Sequence, residues 1–317
     1  MLSLSRVSFS YDLLPILKNI NFTIKKGENI AIIGESGCGK STLLKVIYGL
    51  YDLDEGEIFW NENQILGPKY NLVPGVSFMK YLAQDFDLMP YITVSENIGK
   101  FLSNFYPEKK QERIKELLHL VEMTEFSNIN VKFLSGGQMQ RVAIARVLAL
   151  EPEILLLDEP FSHIDNSRRN NLRRNIFNYA KANAITCIVG SHDIEDSLSF
   201  ANRILVLKNG EIIEEGSPKE IFEKKQNVEV AKLFGDVNQI SAKYFGLDSS
   251  DILLVYPFEL IVVDASKLKV EVVKSYYRGK NYIIEAKYER GILYFEAENY
   301  FNANDILYLN LLKLANS

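Results

Sequence analysis

Apolar and polar positions change period several times along the chain, and each change predicts an element. Alternation over residues 4–11 and 19–24 reads as two half-buried strands. At 29–33 the run Ala31-Ile32-Ile33 is apolar throughout, as in a central strand covered on both faces. Residues 43–50 continue as a helix. Residues 77–150 read as a helical insert. There Thr93-Val94-Ser95-Glu96 is a capping box that opens a helix, and residues 108–122 put Ile114, Leu117, Leu118 and Val121 on one helical face. Buried strands are expected at 154–157 and 185–190. A hairpin turned by Asn209-Gly210 is expected over 205–214. A further helix starts at Ser217-Pro218-Lys219-Glu220, with serine as cap and proline in its favoured first position.

Beyond about residue 236 the character changes. Short runs rich in Val, Ile, Tyr and Phe occupy 252–256, 269–277, 281–288, 292–296 and 305–309, separated by turns such as Arg278-Gly279-Lys280-Asn281 and Glu289-Arg290-Gly291. This predicts a small all-β, barrel-like domain. At 317 residues the chain is longer than a typical single domain. The expected division is 1–235 and 236–317.

Composition narrows the function classes. Hydrophobic residues make up 47% and charged residues 24%, with a net charge of -5. This acidic balance argues against nonspecific nucleic-acid binding, which rewards clustered Lys and Arg. Arg168, Arg169, Arg173 and Arg174 form one basic stretch, read as a solvated helix face balanced by nearby acids. The two cysteines, Cys38 and Cys187, fit neither a disulfide framework nor a metal cluster, so a reducing cytosol is the expected compartment. The N-terminal residues lack the pattern of a secretion signal. No apolar run approaches the roughly 20 residues that cross a bilayer.

The chemistry begins at Gly34-Glu35-Ser36-Gly37-Cys38-Gly39-Lys40-Ser41-Thr42, between the apolar strand and its helix. It matches G-x-x-x-x-G-K-[ST], a loop whose backbone N–H groups converge on phosphate oxygens at a helix N-terminus. Lys40 reaches the β- and γ-phosphates, and the Ser41 hydroxyl is a hard ligand for Mg²⁺. ATP and Mg²⁺ are the implied cofactors. A second apolar strand ends in Asp158-Glu159. Asp158 suits the Mg²⁺ shell, and Glu159 is a candidate to polarise an attacking water.

Leu134-Ser135-Gly136-Gly137-Gln138 resembles the signature of the ABC family of ATPases. Its S-x-x-Q spacing makes Ser135 the cap of the next helix. The resemblance covers about residues 1–235. It implies an α/β P-loop cassette with a RecA-like core, an antiparallel β subdomain and a helical subdomain. It also implies that Ser135, Gly136, Gly137 and Gln138 close over ATP held by another subunit of a dimer. By the same resemblance Tyr11 stacks on adenine, and Gln84 contacts Mg²⁺ and water and couples to the membrane subunit. Residues 161–165, ending at Asp165, stand in the D-loop, where His163 replaces a usual small residue. His192 resembles the switch histidine at the γ-phosphate. Residues 236–317 resemble the accessory (TOBE) domain of importer ATPases for sugars, ferric iron, sulfate, molybdate or polyamines, through Val255-Tyr256-Pro257-Phe258-Glu259-Leu260 and Tyr277-Arg278-Gly279. The stretch Met89-Pro90-Tyr91-Ile92-Thr93-Val94-Ser95-Glu96-Asn97 is also similar to such importers.

The implied function is an ATP-hydrolysing transporter subunit. It would act as a homodimer, peripheral on the cytoplasmic face of the cell membrane, with separate permease subunits, a possible solute-binding protein and no nucleic acid. The runner-up is a soluble ABC ATPase acting on ribosomes or DNA. The tandem cassettes or long coiled-coil insertions of those types are not seen. A regulatory module without turnover is disfavoured by Lys40, Asp158, Glu159 and His192.

Overall fold

The computed structural model of the chain describes residues 1–249 and 251–315. It divides into two compact units, Met1–Ile221 and Phe222–Ser317.

The first unit is built on a six-stranded sheet. Its strand order is Glu211–Gly216, Arg203–Lys208, Asn29–Ile33, Thr186–Gly190, Ile154–Asp158 and Met79–Leu82. All neighbours are parallel except the first pair, which is the expected hairpin. Every residue of Ile154–Asp158 and Thr186–Gly190 is buried. Alternate residues of these strands enter two different cores. Leu155, Leu157, Cys187 and Val189 pack with the helical side, and Ile154, Leu156 and Ile188 pack with the antiparallel side. Burial on both faces is why these segments read as continuous apolar runs rather than alternating ones.

The antiparallel side is a four-stranded sheet in the order Leu14–Ile24, Leu2–Tyr11, Glu55–Trp60 and Asn63–Gln64. Its inward residues include Leu2, Leu4, Ile20, Ile24 and Trp60, and the helix Lys40–Ile47 contributes Leu43 and Leu44 to the same core. The helical side holds Val94–Ile98, Pro107–Leu120 and Gly136–Leu148, packed through Val94, Ile98, Ile114, Leu117, Leu118 and Ile144. Thr93 and Glu96 form the predicted capping box.

In the second unit, Leu260–Val263, Ile306–Leu311, Leu268–Tyr277, Tyr282–Tyr288 and Gly291–Ala297 form one antiparallel sheet in that order. A separate ribbon pairs Asn238–Ser241 with Ile252–Val255. The sheet curls until its edge strands, Leu260–Val263 and Gly291–Ala297, approach each other. Among the described residues no hydrogen-bonded ladder joins those two edges. The unit is therefore barrel-like in curvature but not in closure. Its core gathers Val270, Val272, Ile284, Phe295 and Leu309.

The turn at Asn209-Gly210 matters beyond its own hairpin. Asn209 has φ 49° and Gly210 φ 81°, both left-handed, as a type I′ turn requires. The Gly210 amide donates to the Cys38 carbonyl at 3.2 Å, and the Gly210 carbonyl accepts from the Lys18 amide at 2.8 Å. A Cβ at Gly210 would lie 2.1 Å from the Ile16 carbonyl oxygen. The Gly210→Ala substitution is therefore expected to destabilise the first unit by about 2–4 kcal/mol, through a strained φ and a backbone clash. Urea unfolding read by Trp60 checks this, because that side chain is the chain's sole tryptophan and is 1% exposed. A loss below about 1 kcal/mol would mean that the turn relaxes freely.

Candidate active site

The strands Asn29–Ile33, Thr186–Gly190 and Ile154–Asp158 are adjacent, and their register aligns Ile32 with Gly190 and Gly190 with Asp158. The segments that leave these three strands therefore emerge at one level, the carboxyl edge of the sheet, where open α/β sheets bind ligands.

From the first strand the chain enters the glycine loop and the helix Lys40–Ile47. Gly39, φ 112°, leads into that helix without a side-chain cap. The first N–H groups of a helix lack intrahelical acceptors, so this positive end is available to an anion. At Gly34 a Cβ would fall 2.1 Å from the Leu207 carbonyl oxygen, which excludes any side chain. Among the described residues a Cβ at Gly37 would meet nothing within 4 Å. Lys40 is nearly buried, and its Nζ donates to the carbonyls of Gly34 at 2.7 Å and Glu35 at 3.1 Å. Glu35 and Ser36 are exposed, while Cys38 and Thr42 are buried. Burial pushes the Cys38 thiol up against the opposing pull of Lys40.

Ser41 Oγ donates to Asp158 Oδ1 at 3.0 Å, and the Tyr81 hydroxyl donates to Asp158 Oδ2 at 3.1 Å. Asp158 is 2% exposed, so both oxygens of a buried carboxylate are satisfied. Burial and then the Asp158 charge raise the Tyr81 phenol. The paired oxygens of Ser41 and Asp158 fit Mg²⁺, which fills its shell largely with water and phosphate oxygens. Among the described residues no three or more His, Cys, Asp or Glu gather as a metal cage. Tyr81 escaped the sequence reading because its strand, Met79–Leu82, is only four residues long.

Glu159 lies immediately beyond Asp158 with φ 50°, a left-handed conformation costing of order 1–3 kcal/mol. Four hydrogen bonds hold it there, one of them from the Ser162 amide to its carbonyl at 3.3 Å. Its amide donates to the Gly190 carbonyl at 2.8 Å, and its carbonyl accepts from Gln140 Nε2 at 2.9 Å and Ser162 Oγ at 3.1 Å. The result aims Glu159 Oε2 at His192 Nδ1, 2.7 Å away. Gln140, 2% exposed, also accepts from the His163 amide at 3.0 Å. One signature-helix side chain thus clamps the turn at both ends. Flanked by Gln138, Met139 and Arg141, it carried no local sign that set it apart.

Ser135 caps Gly136–Leu148. Its hydroxyl accepts from the Gln138 amide at 3.3 Å, and Gln138 Oε1 accepts from the Ser135 amide at 2.8 Å. A Cβ at Gly137 would lie 2.7 Å from the His163 carbonyl oxygen, so signature and D-loop meet backbone to backbone. Among the described residues no hydrogen bond joins residues 135–138 to the 34–42 loop of the same chain. The His163 ring turns instead toward Phe86, with centroids 5.4 Å apart. Gln84 is exposed two residues past Leu82, whose register partner is Leu157, and so lies at the same sheet edge as Asp158. Asp165 precedes the helix Asn166–Ala182, and its carbonyl accepts from the Arg168 and Arg169 amides. Tyr11, 39% exposed, meets Phe9 and Tyr51 edge-on at 4.9 and 5.4 Å. The returning strand of its hairpin backs onto the loop, since a Cβ at Gly39 would lie 3.2 Å from Leu17 Cδ2.

The basic stretch differs from its expected solvated face. Arg173 is only 1% exposed and forms ion pairs with Asp193, Glu195 and Asp196. Helical spacing turns it inward, and the acids come from the segment after His192. Burial pushes the Asp196 carboxyl up to about 6, against opposing hydrogen bonds and charge from Ser191 and Arg173. Burial also acts to raise Asp193, but Arg173, the Glu195 amide and Arg169 together hold it below the usual carboxylate value.

A lysine folded into a glycine loop, an acid pair on a parallel strand and a capped Ser-Gly-Gly helix describe a P-loop ATP-binding cassette. A solved dimer of the ATP-binding cassette MJ0796, bound to ADP and Pi, superposes with a TM-score of 0.62 at 32% identity, over 69% of this chain and 99% of that one. The spermidine/putrescine import ATP-binding protein PotA of Thermotoga maritima is 39% identical over 243 residues, covering 76% of this chain and 65% of the relative. PotA of Vibrio cholerae is 33% identical over 281 residues, covering 85% and 73%. The family profile described as ABC transporter matches residues 17–162. With these likenesses the chain belongs to the ABC transporter ATP-binding proteins. It spans slightly less than two thirds of the length of the Thermotoga relative.

Both thiols should react slowly. Cys38 and Cys187 are buried, and burial pushes Cys187 up to about 12. At pH 8 a thiol-reactive disulfide should label the folded chain at least about tenfold more slowly than the urea-unfolded chain. Rapid labelling of one equivalent in the folded state would show that the loop around Cys38 opens freely.

Proposed function

We propose that this chain hydrolyses ATP as the energising subunit of a membrane importer. The reading is carried by one observation: Lys40 and Ser41, Asp158, and the Glu159–His192 pair all stand at the carboxyl edge of three adjacent strands. In this reading Lys40 and the loop amides bind the β- and γ-phosphates, and Tyr11 stacks on the adenine. Ser41, Gln84 and Asp158 would hold Mg²⁺, which neutralises phosphate charge when bound. Glu159 orients the attacking water, and His192 steadies both Glu159 and the γ-phosphate. Catalysis is then positioning and electrostatics.

The signature residues Ser135, Gly136, Gly137 and Gln138 serve the nucleotide of a second copy, with Asp165 at the dimer contact. In support, among the described residues no hydrogen bond joins the Ser135 cap to the 34–42 loop of its own chain, and MJ0796 is a dimeric cassette. Transport in this reading engages a membrane partner; among the described residues no helix is long and apolar enough to cross a membrane. We assign that role to permease subunits, with this chain peripheral on their cytoplasmic side and a solute-binding protein delivering cargo. The solute class follows the relatives named for spermidine and putrescine import. Residues 1–235 form the cassette in this reading, and 236–317 an accessory TOBE-like domain.

Converting Glu159 to Gln keeps the shape and removes the base. The expected outcome is a fall in kcat of about 10²-fold or more, with ATP affinity within about threefold. Phosphate release and nucleotide titration on the purified full chain measure both. Unchanged turnover would remove Glu159 from its role.

A further inference from the structure

His192 is 70% exposed, yet its ring meets Glu159 at 2.7 Å. Something must hold the segment that carries it. Ser191, the preceding residue, is buried, and its hydroxyl donates to Asp196 Oδ2 at 2.6 Å and accepts from the Asp193 amide at 3.0 Å. His192 is therefore bracketed by Ser191, Asp193 and Asp196. Both acids end on arginines of the neighbouring helix Asn166–Ala182. Arg173 Nε lies 2.6 Å from Asp196 Oδ1, and Arg173 Nη2 bonds Asp193 Oδ2. Arg169, one turn earlier, reaches the same Asp193 oxygen at 3.3 Å.

The other ends of these guanidinium groups touch the turn at 161–165. Arg169 donates through Nε and Nη2 to the Ile164 carbonyl at 3.0 and 2.8 Å. The Arg173 guanidinium sits 5.6 Å from the Phe161 ring centroid. That turn begins two residues after Glu159, and its His163 carbonyl lies against Gly137. A guanidinium as buried as Arg173, facing three carboxylates, adds little net stability over apolar residues of the same volume. What it supplies is fixed planar geometry with several directed donors.

We propose that Arg169 and Arg173 are positioning residues, which tie the 161–165 turn to the segment 191–196 and thereby set His192 against Glu159. The assignment rests on the reading of Glu159 and His192 as the catalytic pair. A displacement of the turn then reaches His192 through two guanidinium groups. Neither arginine touches the reacting atoms.

Arg169 is the better probe, because its side chain is 23% exposed and its loss leaves no deeply buried charge. Steady-state ATP hydrolysis is measured on the full chain for the Arg169→Gln, Arg169→Lys and His192→Ala variants and the Arg169→Gln/His192→Ala double variant. Expected are a fall in kcat of about tenfold for Arg169→Gln, with KM for ATP within about twofold, and recovery to within about threefold of the parent in Arg169→Lys. In the His192→Ala background, Arg169→Gln should cause no further loss, since its effect passes through the missing imidazole. Additive losses in the double variant, or an unchanged kcat in Arg169→Gln, would overturn the positioning role and leave the catalytic pair standing. An unchanged kcat in His192→Ala would overturn both.

Discussion

Two-sided burial of the central strands governs this molecule. Successive residues of Ile154–Asp158 enter opposite cores, one packed with helices and one with the antiparallel sheet. A slip of one residue would exchange every side chain between the two. The register is thus fixed by packing on both faces, and the register alone brings Gly190 and Asp158 level with the end of Asn29–Ile33. The site inherits its precision from this constraint. The Ser41–Asp158 bond at 3.0 Å links side chains 117 positions apart in sequence, and no local motif could fix that distance.

Around this frame several polar side chains satisfy one another directly. Asp158 has a donor for each oxygen. Gln140 uses both ends of its amide, and so relieves two backbone groups of a turn that runs through a left-handed glutamate. Such networks rigidify a site when complete. The helix Gly136–Leu148 consequently belongs structurally to the turn 159–163 of its own chain.

Much of this was legible in sequence because it is local. The glycine loop, the Ser135 cap, the Thr93 capping box and the Asn209-Gly210 turn each need residues only a few positions apart. The central strands were legible because two-sided burial leaves their middle positions apolar. The strand Glu55–Trp60 was not, since its first half is Glu-Gly-Glu at an exposed end. Leu260–Val263 follows a helical turn without a break, and Asn238–Ser241 carries a buried asparagine whose partners lie on Val255 and Tyr294. The role of the arginines was hidden for the same reason. Their spacing fixes the face they share, but the carboxylates they meet arrive about twenty residues later, on another element. Short-range chemistry reads well from sequence, and charge pairing across elements does not.

The internal bonding of Lys40 has a thermodynamic consequence. Its ammonium is already engaged by two carbonyls of the loop it serves. An arriving phosphate does not find a free cation. It must exchange with, or add to, charge-assisted bonds that are satisfied without it. Affinity at this loop is then a difference between two well-bonded states. An anion can depart without leaving a bare buried charge behind, because the ammonium has two carbonyl partners of its own. An internal substitute for the ligand smooths release of a bound anion as much as it limits capture.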